Sequence, residues 1–215
     1  MQVFVTSNYQ TLSREAANIA IEAVRLKPTL TLGLPAGNTP TGMYEELSAK
    51  RLDFSAVRTF NLDEYVGLSA GDARSFQAYM RRTFFDHVNL PSKNIYFPDE
   101  EYEETIRAAG GIDLLILGIG LNGHIAFNEP GSAFTSRTRV VDLAPETVAP
   151  VRRGITMGIA TILEARRILL LASGSSKKEV LRRALEEPVQ ESMPASALRL
   201  HSDLTVILDA AASSQ

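Results

Sequence analysis

Short apolar runs alternate with longer amphipathic stretches along most of the chain. The first pair is the β-branched run Val3–Thr6 with the amphipathic stretch Leu12–Arg25, and the second is Leu30–Leu34 with Gly42–Lys50. The alternation continues through Val57–Asn61, Phe76–His87, Glu101–Ala109, Ile112–Leu117, Gly154–Ala165, Ile168–Ala172, Glu179–Glu187 and Thr205–Leu208. Nearly continuous apolar strands that alternate with helices are typical of a parallel sheet covered by helices on both faces.

We therefore predict an α/β protein, a single three-layer α/β/α sandwich around a mostly parallel, Rossmann-like sheet. No Ser/Gly-rich linker, low-complexity tract or internal repeat divides residues 1–215, so one domain is expected. The segment Thr138–Leu143 is interpreted as an edge strand or an addition to this core. Ligands of such sheets bind at the carboxyl ends of the strands, and the residues after each strand are therefore the functional candidates.

The composition restricts the chemistry that is available. The 215 residues include no Cys and 3 His, and 22 Lys+Arg against 25 Asp+Glu give a net charge of −3. Without cysteine there is no disulfide, zinc–thiolate cluster or thiol nucleophile, which leaves carboxylates, hydroxyls, amines and imidazole. The charge balance argues against a nucleic-acid partner, and no signal peptide or membrane-spanning helix is expected. We expect a cytoplasmic enzyme with no membrane partner.

The residues after Leu30–Leu34 are suited to binding an anion. Thr39 is expected to be the N-cap of the next helix and Pro40 its first helical residue. The free backbone amides of the first helical turn and Gly37 would then point toward one position. Such a cup holds a phosphate without a cluster of basic residues. A capped connecting loop without a ligand is the alternative interpretation.

Two adjacent carboxylates, Asp63 and Glu64, follow the predicted strand Val57–Asn61. In an extended chain they point in opposite directions, so at most one faces the ligand while the other caps or pairs. The sequence alone does not distinguish them. A carboxylate at a strand end could remove a proton from a carbon next to a carbonyl, whereas a solvated acidic turn is the alternative.

A glycine-rich loop follows the predicted strand Ile112–Leu117. Its Gly-x-Gly-x-x-Gly spacing resembles a dinucleotide-binding fingerprint, but Pro130 and Gly131 leave no room for the helix that the fingerprint requires. The loop instead brings Asn122, His124 and Glu129 close together. A histidine beside a carboxylate is held in one tautomer and acts as an acid or base near neutral pH. The other two histidines, at positions 87 and 201, lack such a setting and are interpreted as structural.

The residues after Ile168–Ala172 form a second candidate anion site. Serines, a glycine and two lysines, Lys177 and Lys178, precede a helix, and either lysine could be the phosphate ligand. A capped helix with surface lysines is the alternative. Taken together, the four strand ends predict acid–base chemistry on a phosphorylated polyol or sugar.

Three segments resemble the glucosamine-6-phosphate deaminase family, which is related to the 6-phosphogluconolactonases. They are Leu32–Pro40, Phe60–Gly67 and Gly120–Pro130, and the resemblance covers nearly the whole chain as one sugar-phosphate isomerase/deaminase domain. The stretch Asn-Gly-His-Ile-Ala-Phe-Asn-Glu-Pro is the most specific, because the lactonases lack its Phe-Asn-Glu-Pro continuation.

The resemblance implies a role for each candidate residue. His124 would open the pyranose ring, with Glu129 and Asn122 orienting it. Asp63 would move the C2 proton to C1, which expels the amine as ammonia and leaves fructose 6-phosphate, with breakage of a C–N bond as in a hydrolase. The phosphate would lie between Lys177 and the loop formed by Gly37, Asn38 and Thr39. No metal or organic cofactor is implied, and the substrate is a small sugar phosphate.

The chain departs from the family pattern at two places. Some members have aspartate where this chain has Asn122, and an amide at that position can only hydrogen-bond. The stretch Asp142–Gly154 looks shortened, and either Arg152 or Arg153 could replace the family's phosphate-binding arginine. The resemblance also implies a monomer or small homo-oligomer without allosteric activation. A lactonase-type hydrolase and a non-catalytic sugar-phosphate sensor are the alternative functions.

Overall fold

A seven-stranded sheet forms the centre of the protein in a computed structural model, which describes residues 1–143 and 151–213. Its order is β1-β10-β9-β6-β2-β3-β5, and all six pairs of neighbouring strands are parallel. The strands of this sheet are β1 Gln2–Thr6, β2 Thr31–Leu34, β3 Arg58–Asn61, β5 Ile95–Tyr96, β6 Leu114–Leu117, β9 Ile168–Ala172 and β10 Leu204–Asp209. The predicted parallel sheet is thereby confirmed.

Helices cover both faces of the sheet. The helices are α1 Tyr9–Leu26, α2 Asn38–Ala49, α3 Phe76–Thr83, α4 Tyr102–Ala108, α5 Ile159–Leu163 and α6 Lys178–Glu186. Leu114 and Ile116 pack with α1, α2 and α3, whereas Leu115 and Leu117 pack with α4, α5 and α6. Alternate side chains of one strand therefore enter different cores, as strands buried on both faces require. The predicted three-layer sandwich is confirmed.

A second, antiparallel sheet lies beside the first. It consists of β4 Asp63–Tyr65, β8 Arg153–Thr156 and β7 Arg139–Asp142, in that order. The prediction of a helix over Gly154–Ala165 was therefore wrong in its first part, because residues up to Thr156 pair with β4 and β7 and only Ile159–Leu163 is helical. β7 falls within Thr138–Leu143 and belongs to this second sheet, so the segment is an addition to the core and not an edge strand of the main sheet.

Helix α2 begins earlier than its sequence predicts. Gly37 is the N-cap, with φ of 137°, and no side chain caps the helix. The prediction that Thr39 is the N-cap and Pro40 the first helical residue was wrong, because glycine alone adopts this φ readily and the chain turns there. Asn38 and Thr39 consequently occupy the first two helical positions, where backbone amides lack partners within the helix.

Helix α3 is shorter than the predicted span Phe76–His87. The α-helix ends at Thr83, and a 3₁₀ turn follows at Phe85–His87. Further 3₁₀ segments lie at Ser92–Asn94, Ser175–Lys177 and Pro194–Leu200. Within the described residues, no helix is both long and apolar enough to cross a membrane.

The strand order reverses between β2 and β6. After β2 the sheet grows through β3 to β5, and after β6 it grows in the other direction through β9 to β10. Loops that leave the carboxyl ends of β2 and β6 therefore run to opposite sides and open a crevice between them, which is where open α/β sheets bind ligands.

Candidate active site

A cavity of about 400 Å³ lies at this reversal of strand order. The loop after β2, the start of β4, the loop after β6 and the segment before α6 all contribute to its wall. Six of the eight predicted site residues line it: Gly37, Asn38, Thr39, Asp63, His124 and Lys177. The remaining two, Asn122 and Glu129, lie directly behind His124. The geometry thus brings together groups that are far apart in the sequence.

Asp63 supplies a buried carboxyl at the wall of the cavity. Its side chain is held where β3 passes into β4, and the backbone there is fixed by pairing of Asp63 with Thr156. The residue is 8% exposed. Burial, followed by the charge of Glu64, raises the pKa of Asp63 from 3.8 to about 8. An ionised Asp63 is therefore an unusually strong carboxylate base.

Glu64 points away from the cavity and caps α3. Its Oε1 accepts hydrogen bonds from the amides of Tyr65 (2.7 Å) and Phe76 (2.9 Å), and its Oε2 accepts one from Gln77 (2.8 Å). A carboxylate at a helix N-terminus also stabilises the helix dipole. Of the two adjacent carboxylates, Asp63 lines the cavity and Glu64 caps a helix, an arrangement that agrees with the opposite directions expected in an extended chain.

Asn122 and Glu129 hold the imidazole of His124 from one side. The Nδ1 atom of His124 lies 2.8 Å from Oδ1 of Asn122 and 3.3 Å from Oε1 of Glu129. Asn122 also donates from Nδ2 to Oε2 of Glu129 at 2.6 Å, which fixes the orientation of its amide. Both groups near Nδ1 are acceptors, so this nitrogen carries the ring proton and Nε2 is left with a free lone pair.

The environment of His124 favours the neutral ring. Burial lowers its pKa below the ordinary 6.5, the charge of Lys177 acts in the same direction, and the charge of Glu129 opposes both. A neutral imidazole with Nε2 unprotonated can accept a proton and return it, which is the property that ring opening of a sugar requires.

Two backbone features allow the ring to lie where it does. The imidazole packs directly on Gly120, where a Cβ would lie 2.2 Å from Cε1 of His124. Two residues beyond His124, Ala126 has φ of +50°, an uncommon left-handed conformation for a residue with a side chain. The buried amide of Asn128 holds this turn by donating to the carbonyls of Ile125 (3.0 Å) and Met157 (2.8 Å). No helix begins at Gly123, as predicted when the dinucleotide fingerprint was rejected.

Lys177 lines the same cavity as Asn38 and Thr39, the first residues of α2. Its Nζ donates to the carbonyl of Ile119 at 2.6 Å, and burial lowers its pKa. Asp209 fixes the loop before it, because its carboxylate accepts from the hydroxyl of Ser173 (2.5 Å) and the amide of Gly174. Lys178 is exposed and does not line the cavity. Of the two lysines that the sequence left open, Lys177 is therefore the one at the site.

An aromatic wall was not predicted from the sequence. Phe76 and Phe127 line the cavity and stack on each other, with ring centroids 5.8 Å apart. Tyr65 packs against both, with ring centroids 4.6 Å from Phe76 and 5.5 Å from Phe127. A phenylalanine in the polar loop after a strand, as at position 127, was the available signal. The wall excludes water from one side of the cavity.

Neither of the candidate arginines reaches this cavity. Arg152 and Arg153 are both exposed and are absent from its lining. The rest of the shortened stretch, residues 144–150, lies outside the described residues. The two other histidines bond to backbone carbonyls, His87 to Arg82 (2.9 Å) and His201 to Ala165 (2.7 Å), which agrees with structural roles.

A larger cavity of about 580 Å³ lies beside α4 and α5. Its carboxylates are already partnered: Glu103 accepts from Thr138 and Thr161, and Glu164 pairs with Arg137 at 2.5 Å. Satisfied charges of this kind support the local fold, whereas the carboxyl of Asp63 and Nε2 of His124 face open space. The cavity at the reversal of strand order is therefore the candidate active site.

The fold is an α/β sandwich, and its cavity brings a buried carboxyl and an imidazole together with a lysine and the first residues of α2. Residues 6–207 match the family described as glucosamine-6-phosphate isomerases/6-phosphogluconolactonase, and the chain belongs to this family. A glucosamine-6-phosphate deaminase of Shouchella clausii is 44% identical over all of this chain and 97% of its own length. A deaminase of Thermoanaerobacter sp. is 41% identical, again over all of this chain and 94% of its own.

Solved structures give the same result for the fold. A monomeric glucosamine-6-phosphate deaminase superposes with a TM-score of 0.95 and 41% identity, covering 99% of this chain and 98% of its own. The 6-phosphogluconolactonase from Trypanosoma cruzi superposes with a TM-score of 0.84 at 24% identity, covering 98% of this chain and 95% of its own. At 24% identity, the similarity to the lactonase supports a shared fold only.

Proposed function

We propose that the protein converts D-glucosamine 6-phosphate and water to D-fructose 6-phosphate and ammonia. The observation that carries this proposal is the meeting, in one cavity, of a buried carboxyl, a tautomerically fixed imidazole and an anion cup with a lysine. The full-length relatives named glucosamine-6-phosphate deaminase support the same activity. Asp63, Asn122, His124 and Glu129 form the proposed catalytic group, and Gly37, Asn38, Thr39 and Lys177 form the proposed phosphate site.

Ring opening is assigned to His124. Nε2 accepts the proton of the anomeric hydroxyl, the bond between C1 and the ring oxygen breaks, and Nε2 returns the proton to that oxygen. The imidazole is positively charged only between these steps, and Glu129 stabilises that charge from the Nδ1 side. Asn122 keeps the proton on Nδ1 throughout, so that Nε2 remains the reacting atom.

Proton transfer between C2 and C1 is assigned to Asp63. The aldehyde formed by ring opening acidifies the C2 proton, and the ionised carboxylate removes it while the C1 oxygen takes up a proton from the substrate's ammonium group, which gives an enolamine. The carboxyl then delivers its proton to C1, and the nitrogen carries the positive charge as a protonated imine. This leaves an imine at C2, to which water adds before ammonia departs. The net change is isomerisation with hydrolysis of one C–N bond, and no metal or organic cofactor takes part in it. A positioned carboxylate contributes about 10² to 10⁴-fold to such proton transfer.

Ammonia release from glucosamine 6-phosphate tests the proposal. The purified protein should release ammonia and form fructose 6-phosphate in equal amounts, and Asp63→Asn should abolish turnover while fructose 6-phosphate still binds. Asp72→Asn is the matched control, because Asp72 is paired with Arg74 at 2.6 Å and does not line the cavity. Binding without ammonia release by the unmodified protein would favour a sensor, and hydrolysis of 6-phosphogluconolactone instead would favour a lactonase.

We further propose that the protein acts as a monomer or small homo-oligomer in the cytoplasm. The solved relative described as monomeric supports the small assembly. Light scattering should give a mass of one or a few chains, and kinetics should be hyperbolic with and without N-acetylglucosamine 6-phosphate.

A further inference from the structure

Two tyrosine hydroxyls hold consecutive carbonyls of the loop that opens α2. Tyr79 donates from Oη to the carbonyl of Gly37 at 2.7 Å, and Tyr9 donates from Oη to the carbonyl of Asn38 at 3.1 Å. The tyrosines belong to different helices, α3 and α1. Neither lines the candidate active site, so both would act through the loop rather than on a ligand.

Thr41 adds to the contact at Gly37. Its Oγ1 lies 2.7 Å from Oη of Tyr79 and donates to the carbonyl of Gly37 at 3.0 Å. Two hydroxyl protons thus serve three contacts. The three contacts join Tyr79 to Thr41, Tyr79 to the carbonyl of Gly37, and Thr41 to the same carbonyl. Whichever two of them are made as hydrogen bonds, at least one hydroxyl donates to the carbonyl of Gly37.

The contact at Asn38 is directed by a backbone amide. The amide of Gly42 donates to Oη of Tyr9 at 2.8 Å, which occupies an acceptor position of the hydroxyl and leaves its proton for the carbonyl of Asn38. Gly42 is closely packed, since a Cβ there would lie 3.0 Å from Oη of Tyr9 and 2.4 Å from Oγ of Ser13. The tyrosine and the first turn of α2 are therefore locked together.

The orientation of a carbonyl sets the orientation of the next amide. In a trans peptide the N–H points opposite to the C=O of the same peptide plane. Holding the Gly37 carbonyl thereby aims the amide of Asn38, and holding the Asn38 carbonyl aims the amide of Thr39. Control of this kind matters here because Gly37 has φ of 137° and no side chain to restrict rotation of its peptide.

We propose that Tyr79 and Tyr9 are positioning residues that preorganise the two free amides of α2 for the substrate phosphate. The inference rests on the proposed function, because the proposed function places the substrate phosphate at this loop. Loss of the Tyr9 hydroxyl removes the donor to the carbonyl of Asn38, and loss of the Tyr79 hydroxyl leaves the carbonyl of Gly37 held by Thr41 alone. In either variant the loop peptides rotate more freely, so the cost of ordering them falls on binding. Chemistry at C1 and C2 uses other residues and proceeds at its usual rate once the substrate is bound.

Tyr79→Phe, Tyr9→Phe and the double variant test this assignment. For each single variant, the KM for glucosamine 6-phosphate and the Kd for fructose 6-phosphate should rise by about 3- to 10-fold at unchanged kcat, as expected for one lost hydrogen bond. The Kd for inorganic phosphate, measured by calorimetry, should rise in parallel. Tyr96→Phe is the matched control, because phenylalanine keeps the stacking on Phe60, with ring centroids 4.7 Å apart, and Tyr96 does not line the cavity.

The phosphate measurements separate failure of this inference from failure of the proposed function. Unchanged phosphate and fructose 6-phosphate affinity in the double variant would overturn the positioning role, even if ammonia is released normally. A loss of kcat rather than a rise in KM would also overturn it, since that pattern indicates damage to the catalytic groups. A third outcome is that the unmodified protein releases no ammonia while both single variants bind phosphate more weakly than it does. In that case the positioning role stands and the proposed deaminase activity is wrong.

Discussion

Burial of the Asp63 carboxyl predicts that the proposed catalytic base lowers the stability of the fold as pH rises. The pKa of Asp63 is about 8 in the folded protein and near the ordinary 3.8 in the unfolded chain. Between these values the folded protein keeps a proton that the unfolded chain releases. Stability from this group is therefore full below about pH 4 and is lost progressively as pH rises to about 8. Asp63→Asn removes the titration while keeping the shape of the side chain.

The magnitude follows from the size of the pKa shift. Each pKa unit corresponds to about 1.4 kcal/mol of free energy of unfolding. Ionisation of Asp63 therefore lowers the free energy of unfolding of the unmodified protein by about 2 kcal/mol at pH 5, about 4 kcal/mol at pH 7 and about 6 kcal/mol above pH 8. Because asparagine does not ionise, the variant should be more stable than the unmodified protein by these amounts, with the gap widening as pH rises.

Urea unfolding at pH 5, 7 and 9 measures this gap directly. The slope of the free energy of unfolding against urea concentration should be the same for Asp63→Asn and the unmodified protein, because the substitution does not change the surface exposed on unfolding. Asp72→Asn is the control: hydrogen bonding to Arg74 lowers the pKa of Asp72 to about 2, so its contribution is constant across this pH range. A gap between Asp63→Asn and the unmodified protein that stays constant from pH 5 to 9, or narrows, would refute the burial argument.

Three further predictions concern the reacting groups. The value of kcat/KM should rise about tenfold per pH unit and level off near pH 8, because the free enzyme reacts only when Asp63 is ionised. A steady-state kcat/KM that is constant from pH 6 to 8 would contradict this. Asn122→Asp places a second carboxylate beside Nδ1 and should raise the pKa of His124 in an NMR titration, whereas an unchanged or lower pKa would count against the assigned contacts. Gly120→Ala displaces the imidazole and should reduce kcat by about 10²-fold, and turnover at the original rate would show that the ring does not need this position.

The main sheet could be predicted from the sequence because its inner strands are buried on both faces. β9 has five consecutive buried residues and β6 has four, which leaves little ambiguity about their environment. β8 is different, since only two of its four residues are buried and its sequence merges with that of α5. Its strand structure comes from pairing with β7 on one side and with β4, which is remote in sequence, on the other. The local sequence pattern of β8 does not show this pairing.

The candidate site was predictable where its chemistry lies at strand ends. Asp63, His124 and Lys177 could be placed together because parallel strands end at one edge of the sheet. The local pattern could not distinguish Asp63 from Glu64, because the distinction depends on where α3 begins in space, and only the family resemblance implied Asp63. The contribution of Phe76 likewise depends on how α3 packs, and no local pattern distinguishes a residue lining a cavity from one in the core.

Glu64 has a mechanical consequence for the proposed reaction. Its carboxylate binds the first amides of α3 with both oxygens, while its backbone is continuous with that of the proposed base. The helix α3 carries Phe76, which lines the cavity, and Tyr79, which donates to the carbonyl of Gly37. The side chain of Glu64 therefore connects the proposed base to both of these residues. A substrate that displaces α3 therefore also displaces the base. Engineering of this cavity for larger sugars has to move these parts as one body, and loops outside this unit are the better place for change.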